Sequence, residues 1–249
     1  MTYCVGIKVD DGLVLASDSR THAGVDNFAK FCKMTVFERV GERVVVLLSS
    51  GSLAGTQAVI GMLRRRADSA DTKPTLLSAK TMFDAALVVS DAMREVDRRD
   101  GKALAESGSS FNASFVLGGQ IRGEPPRLFR LYAEGNFIEA CEETPYLQTG
   151  ETKYGKPIID RVVTHATTLG DAAKCVLVSF DSTMRSNLSV GLPIDLLVYR
   201  RDSLEIELKR RITESDGYFK MLRERWSGAL REAYRTIPQP DWAGDSAKS

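Results

Sequence analysis

Thr2-Tyr3-Cys4-Val5-Gly6-Ile7-Lys8-Val9-Asp10-Asp11-Gly12-Leu13-Val14-Leu15-Ala16-Ser17-Asp18-Ser19-Arg20 reads as two strands folded back on each other. Residues 3–9 alternate loosely, Asp10-Asp11-Gly12 has the composition of a hairpin turn, and residues 13–17 return. Working outward, 20–27 is a polar loop, 33–40 is a third strand, Gly41-Glu42-Arg43 turns, and 44–49 is a fourth. Ser50-Gly51-Ser52 ends that sheet and opens a helix. Leu53, Val59, Ile60, Met62 and Leu63 share one helical face up to about residue 66. A second helix is predicted over 75–98 and a polar loop over 101–110. Strands follow at 111–118, 127–133 and 136–141, then helices at 152–165 and 170–184. Strands at 194–199 and 204–209 flank a turn at Arg201-Asp202-Ser203, and an amphipathic helix covers 216–236.

Strands in this order cluster, and the strand–helix–strand alternation of a parallel sheet is absent. The expected class is α+β, a four-layer αββα sandwich of two antiparallel sheets with helices on both outer faces. Residues 1–212 are expected to form the main domain and 213–237 a helical extension packed on it or on a neighbouring subunit. The remainder, 238–249, is a polar tail.

Composition narrows the function. The 249 residues carry 34 Lys plus Arg against 33 Asp plus Glu, a net charge of +1. That balance leaves no footprint for nucleic acid or an anionic membrane. No apolar run approaches the ~20 residues that span a bilayer, and Asp10, Asp11 and Asp18 fall where a secretory leader would be apolar. Cys4, Cys32, Cys141 and Cys175 have no paired spacing, which reads as reduced thiols in a cytoplasmic protein. With only His22 and His165, a histidine-rich metal site is not expected.

The residue that carries chemistry is Thr2. A small second residue permits removal of Met1, which would free the Thr2 amine. An α-amino group titrates at roughly 7.7–8.0, so it can accept a proton near neutral pH. A threonine hydroxyl is a weak nucleophile until such a base sits beside it. Asp18 and Lys33 end adjacent predicted strands and aim at the strand headed by Thr2. On the residues alone, an ordinary surface ion pair worth about 0–1 kcal/mol competes with a catalytic pair.

Residues 2–8 with 11–20, then Lys30-Phe31-Cys32-Lys33, then Ser50-Gly51-Ser52-Leu53-Ala54-Gly55-Thr56-Gln57-Ala58-Val59 resemble the three signature stretches of proteasome β-subunits. The resemblance covers roughly residues 2–210. Within that N-terminal nucleophile superfamily it runs nearest to the bacterial proteasome-related Anbu family, through Ser17-Asp18-Ser19-Arg20-Thr21, residues 149–157 and a late helix. The resemblance implies a threonine peptidase. Thr2 attacks, its amine is the base, Lys33 is a fixed cation, Asp18 holds Lys33, and the Gly51 N–H forms the oxyanion hole. It implies a peptide or unfolded-protein substrate, a homo-oligomeric ring or spiral, and no cofactor; it identifies no unfoldase or adaptor.

The family places a serine after the glycine near 150 and an Asp-x-x-Ser-Gly run before a late strand. Here Glu151 follows Gly150, and the late stretch is Asn187-Leu188-Ser189-Val190-Gly191. Glu151, Ser186, Asn187 and Ser189 are the candidates to support the amine instead. Thr21, Phe31, Ser49 and Leu53 are the expected substrate-pocket positions, and as a mixture they declare no preference. Residues 150–157 nearly match a phosphate-binding loop, but Pro157 stands where a hydroxyl must bind Mg²⁺. Two rivals remain: a catalytically silent ring-forming scaffold, against which the absence of an extension before Thr2 argues, and an amidase acting on small amides.

Overall fold

The Asp11-Gly12 turn joins β1 (Tyr3–Val9) to β2 (Gly12–Asp18), antiparallel from Cys4 opposite Ser17 to Val9 opposite Gly12. The computed structural model describes residues 2–22, 28–69 and 74–243. The chain divides into two units, Met1–Glu214 and Ser215–Ser249.

In the first unit, β3 (Arg20–His22) and β4 (Phe28–Lys30) form a short ribbon where the sequence predicts a loop. Then come β5 (Met34–Arg39), β6 (Arg43–Gly51), α1 (Leu53–Asp68), α2 (Met82–Glu106), β7 (Ala113–Ile121), β8 (Arg127–Leu131) and β9 (Phe137–Glu139). The unit closes with β10 (Tyr146–Gly150), α3 (Lys156–Val162), α4 (Leu169–Ser186), β11 (Ile194–Arg200) and β12 (Leu208–Ile212). One sheet has the order β10-β1-β2-β11-β12 and the other β5-β6-β7-β8-β9, and the pairings within both are antiparallel. The α4 helix packs on β1, β2 and β11, while α1 packs on β6 and β7 and α2 on β7 and β8. This is the expected four-layer αββα sandwich.

Two apolar layers hold it together. Cys4, Leu13, Leu15, Val46, Leu48, Val116 and Leu128 interdigitate between the sheets. Leu47, Phe115, Leu117 and Phe129 meet Val59, Leu63, Val89 and Met93 beneath α1 and α2. Each fully buried side chain of this size contributes about 1.5–3 kcal/mol. Because β1 is covered on both faces, Tyr3 is as buried as Cys4. Tyr3 faces the α4 side, its ring 4.7 Å from that of Phe180, and Cys4 faces the other sheet.

Several boundaries differ from the sequence reading. The α2 helix starts at Met82 rather than 75, because Thr81 and Asp84 cap its first turn reciprocally. It also runs through Gly101 to Glu106, where residues 102–106 (Lys-Ala-Leu-Ala-Glu) favour helix. The α3 helix covers only 156–162, with Pro157 in its first turn. The β12 strand begins at 208 rather than 204, since Asp202 and Leu204 take positive φ (65° and 51°) and spend residues on the turn. Lys33 lies outside regular structure, just before β5.

In the second unit, α5 (Gly217–Thr236) is capped by Asp216, which accepts from Phe219 N at 2.8 Å. Of the expected tail, residues 244–249 lie outside the described residues. Among the described residues, no helix is long and apolar enough to cross a membrane.

Candidate active site

The head of β1 is clamped from both sides. The Thr2 carbonyl accepts from Glu151 N at 2.7 Å, and the next amide, Tyr3 N, donates to Asp18 Oδ1 at 3.1 Å. Gly150 permits the first contact. Its φ is +86°, and a Cβ there would stand 1.9 Å from the Thr2 carbonyl oxygen. Met1 lies outside the described residues.

Asp18, at the end of β2, also accepts from Lys33 Nζ at 2.8 Å through the same Oδ1. Lys33 Nζ donates again to the Arg20 carbonyl at 2.5 Å. The two side chains are 0 % and 7 % exposed, so this is no surface ion pair. Taking both charges out of water costs several kcal/mol each, which such a pair recovers only with good geometry. Burial pushes the Asp18 carboxyl above its ordinary range; the Lys33 ammonium and the Tyr3 and Gly191 amides pull the other way. Asp18 Oδ2 is buried without a hydrogen bond of ordinary geometry. Burial also raises the neighbouring Cys4 thiol, so it stays neutral.

Gly51 ends β6 at φ +104°, and a Cβ there would meet the Asn112 carbonyl oxygen at 2.2 Å. Only glycine reconciles that turn with the adjacent β7 backbone. The chain then enters α1 through Ser52, whose hydroxyl accepts from Gly55 N at 3.4 Å. Ser49 N donates to the Lys33 carbonyl at 2.9 Å, which fastens the lysine segment to β6.

These segments border one cleft of about 580 Å³, lined among others by Thr2, Lys33, Ser49, Gly51 and Leu53. The hydroxyls of Ser50 and Thr149 meet at 2.8 Å across it, joining β6 to β10 of the opposite sheet. Asn112, Ser114, Arg130 and Thr149 also line the wall, and none of them is a pocket position expected from the sequence. Ser114, Arg130 and Thr149 arrive on β7, β8 and β10, and Asn112 just before β7, from far along the chain, and nothing local marks them. A second cleft of about 710 Å³ lies along α1 and α2 and contains none of Thr2, Asp18, Lys33 or Gly51.

The remaining expected positions divide. Glu151 is 4 % exposed and accepts from Asn187 Nδ2 at 2.8 Å. Asn187 Oδ1 in turn accepts from Ser189 N at 2.9 Å. Three of the four supporting candidates are therefore linked, Ser189 through its backbone amide, and the link reaches the strand head through Glu151 N, whereas Ser186 is exposed at the end of α4. Phe31 donates its amide to Ser19 O at 2.9 Å and does not line the cleft. The side chain of Thr21 lies outside the described residues. The phosphate-loop-like stretch is the end of β10, a turn and the start of α3; Lys156 is engaged by Tyr146 and Asp160. Among the described residues no cluster of three His, Cys, Asp or Glu could hold a metal.

A two-sheet αββα sandwich whose first strand is headed by a threonine next to a buried lysine–aspartate pair defines the proteasome-related, N-terminal nucleophile class. Solved structures narrow it further. Anbu from Hyphomicrobium sp. strain MC1 shares 49 % identity over 96 % of this chain and 99 % of its own, at a TM-score of 0.89. Anbu (ancestral beta-subunit) from Yersinia bercovieri shares 46 % over 96 % and 98 %, at 0.90. The helical assembly of the Anbu complex from Pseudomonas aeruginosa shares 48 % over 98 % and 100 %, at 0.92. No protein-family profile and no curated protein matches. The chain belongs to the Anbu family of proteasome-related subunits.

Proposed function

We propose that this chain is a threonine-type N-terminal nucleophile peptidase that acts once Met1 has been removed. One observation carries the reading: Asp18 Oδ1 is bonded at once to the amide that follows Thr2 and to the Lys33 ammonium, so strand head and cation are held together.

Thr2 Oγ1 adds to the scissile carbonyl carbon while its proton passes to the Thr2 amine. The Lys33 cation favours the unprotonated amine and the developing alkoxide. The Gly51 N–H donates to the carbonyl oxygen as it becomes anionic; one such donor is worth about 3–4 kcal/mol. The C–N bond then breaks, and the leaving nitrogen takes the proton. Water adds to the resulting ester, again with the amine as base, and frees Thr2. The Glu151–Asn187–Ser189 chain takes the place of the family's supporting serine and aspartate and orients the Thr2 end.

The homologue from Pseudomonas aeruginosa forms a helical assembly, and this chain is proposed to form a homo-oligomer as well. The altered supporting residues favour, as second reading, a subunit of low turnover that serves mainly in assembly.

Intact mass and a threonine-directed epoxyketone test the proposal. Protein lacking Met1 and modified at Thr2 is expected, with no modification of Thr2→Ala. Protein that has lost Met1, retains its fold and resists every such electrophile would overturn the peptidase reading.

A further inference from the structure

We propose that the cleft selects a substrate carrying a carboxylate next to the scissile bond, and that Arg130 reads it. This deepens the peptidase reading and rests on it.

Arg130 lies on β8 opposite Val116 of β7, so both side chains stand on the same face of the sheet. Val116 belongs to the apolar layer between the two sheets. Arg130 therefore enters the space between the sheets, where an unpaired charge is costly. Its guanidinium lies over the Tyr132 ring, 4.7 Å from the centroid to Cζ, and makes no hydrogen bond or ion pair among the described residues. Its Nε is buried and unsatisfied. Arg43, the arginine among the buried described residues, by contrast holds Glu42 and the Ala79 carbonyl. A half-buried guanidinium whose Nε is buried without an acceptor, opening into a cleft, calls for an anion from outside.

The rest of the wall agrees. Ser50, Ser52, Thr56, Asn112, Ser114 and Thr149 line it with hydroxyls and an amide, and Leu53 is the one large apolar side chain among the described lining residues. Among the described residues, no carboxylate lines it. The nearest acidic group in sequence, Glu151, is already engaged by Asn187. The Lys33 charge is neutralised by Asp18. Among the described lining residues, Arg130 is thus the charge without a partner of opposite sign. A Lys or Arg side chain would meet like charge, a Leu or Phe would strand the hydroxyls, and an Asp or Glu side chain would satisfy the guanidinium bidentately. The hydroxyls around it can donate to the same carboxylate.

Two arms separate this inference from the chemistry. In the first, tripeptide epoxyketones ending in glutamate, glutamine, leucine or lysine label Thr2, and the rates are compared. Wild type is expected to react about 10–100-fold faster with the glutamate probe than with the glutamine probe, the span of one charge-assisted hydrogen bond. Arg130→Gln is expected to bring that ratio to about 1. Arg130→Glu is expected to move the preference toward lysine, which loss of packing alone would not do. Equal glutamate and glutamine rates in wild type, or a glutamate preference that survives Arg130→Gln, would overturn the inference. In the second arm, N-acetyl tripeptides ending in glutamate or glutamine are titrated calorimetrically into Thr2→Ala, where no chemistry is possible. If no probe labels wild type, the nucleophile reading fails and this titration decides the pocket. Tighter binding of the glutamate peptide, lost in Thr2→Ala/Arg130→Gln, supports it; equal binding refutes it.

Discussion

Asp18 and Lys33 give a measurable thermodynamic signature. Lys33→Met leaves an uncompensated buried carboxylate and is expected to cost about 3–5 kcal/mol. Adding Asp18→Asn removes both charges together and is expected to restore stability to within about 1 kcal/mol of wild type while labelling of Thr2 stays abolished. Because burial raises the Asp18 carboxyl in the fold, its contribution is full below the ordinary value of about 3.9 and is lost as pH rises through the folded value. On the Lys33→Met background, Asp18→Asn should therefore stabilise at neutral pH, with the gain vanishing on acidification. Denaturant unfolding across pH reads both effects, and a gain independent of pH would contradict them. At this scale the sequence was informative where a residue is placed by its own strand or turn. Thr2 heads its strand and Gly51 ends one, but the grouping of Thr2, Asp18, Lys33 and Gly51 comes from the stretches that resemble proteasome β-subunits, and the structure brings their segments to one cleft. Arg130 and Thr149 were not legible, because only the pairing of distant strands brings them to the cleft.

Elements that signal locally were read well, and those that depend on distant pairing were not. The β1–β2 hairpin announces itself by its turn, and α4 by its apolar period. β10 has neither signal: it is a five-residue edge strand whose sheet neighbour is β1, at the far end of the chain. The pocket wall that the sequence missed hangs partly on that strand. Glycines test the element scale. Gly51→Ala places a Cβ against the Asn112 carbonyl at positive φ, so it is expected to destabilise and to abolish labelling together. Gly61, exposed within α1, has nothing within 4 Å of an added Cβ. Gly61→Ala is expected to stabilise by about 0.5–1 kcal/mol without changing the labelling rate. Thermal unfolding distinguishes the two, and destabilisation by Gly61→Ala would show that this face of α1 is covered.

At the scale of the whole molecule, the first unit carries both sheets, both inner apolar layers and every residue proposed for catalysis. The proposed domain division predicts that residues 1–214 fold cooperatively by themselves and still present the cleft. The second unit presents Tyr218, Met221, Leu230, Tyr234 and Ile237 at its surface. Such residues suit contact between subunits, so the truncated chain is expected to sediment as a smaller species than the full one. Identical sedimentation would place the assembly contacts in the first unit. The sequence reading reached the four layers because strand clustering alone excludes a parallel sheet. It could not rank the faces of the last helix, since burial within one subunit and burial between two leave the same apolar pattern.

The amide that holds Asp18 belongs to Tyr3, and the carbonyl held by Glu151 lies on the far side of Thr2 from the bond that trimming would cut. Neither anchor uses the nitrogen that Met1 occupies. An untrimmed chain thus carries both anchors around a single blocked atom, and proteolytic maturation would break neither. Latency would then be chemical rather than conformational, set by whichever aminopeptidase reaches the chain head.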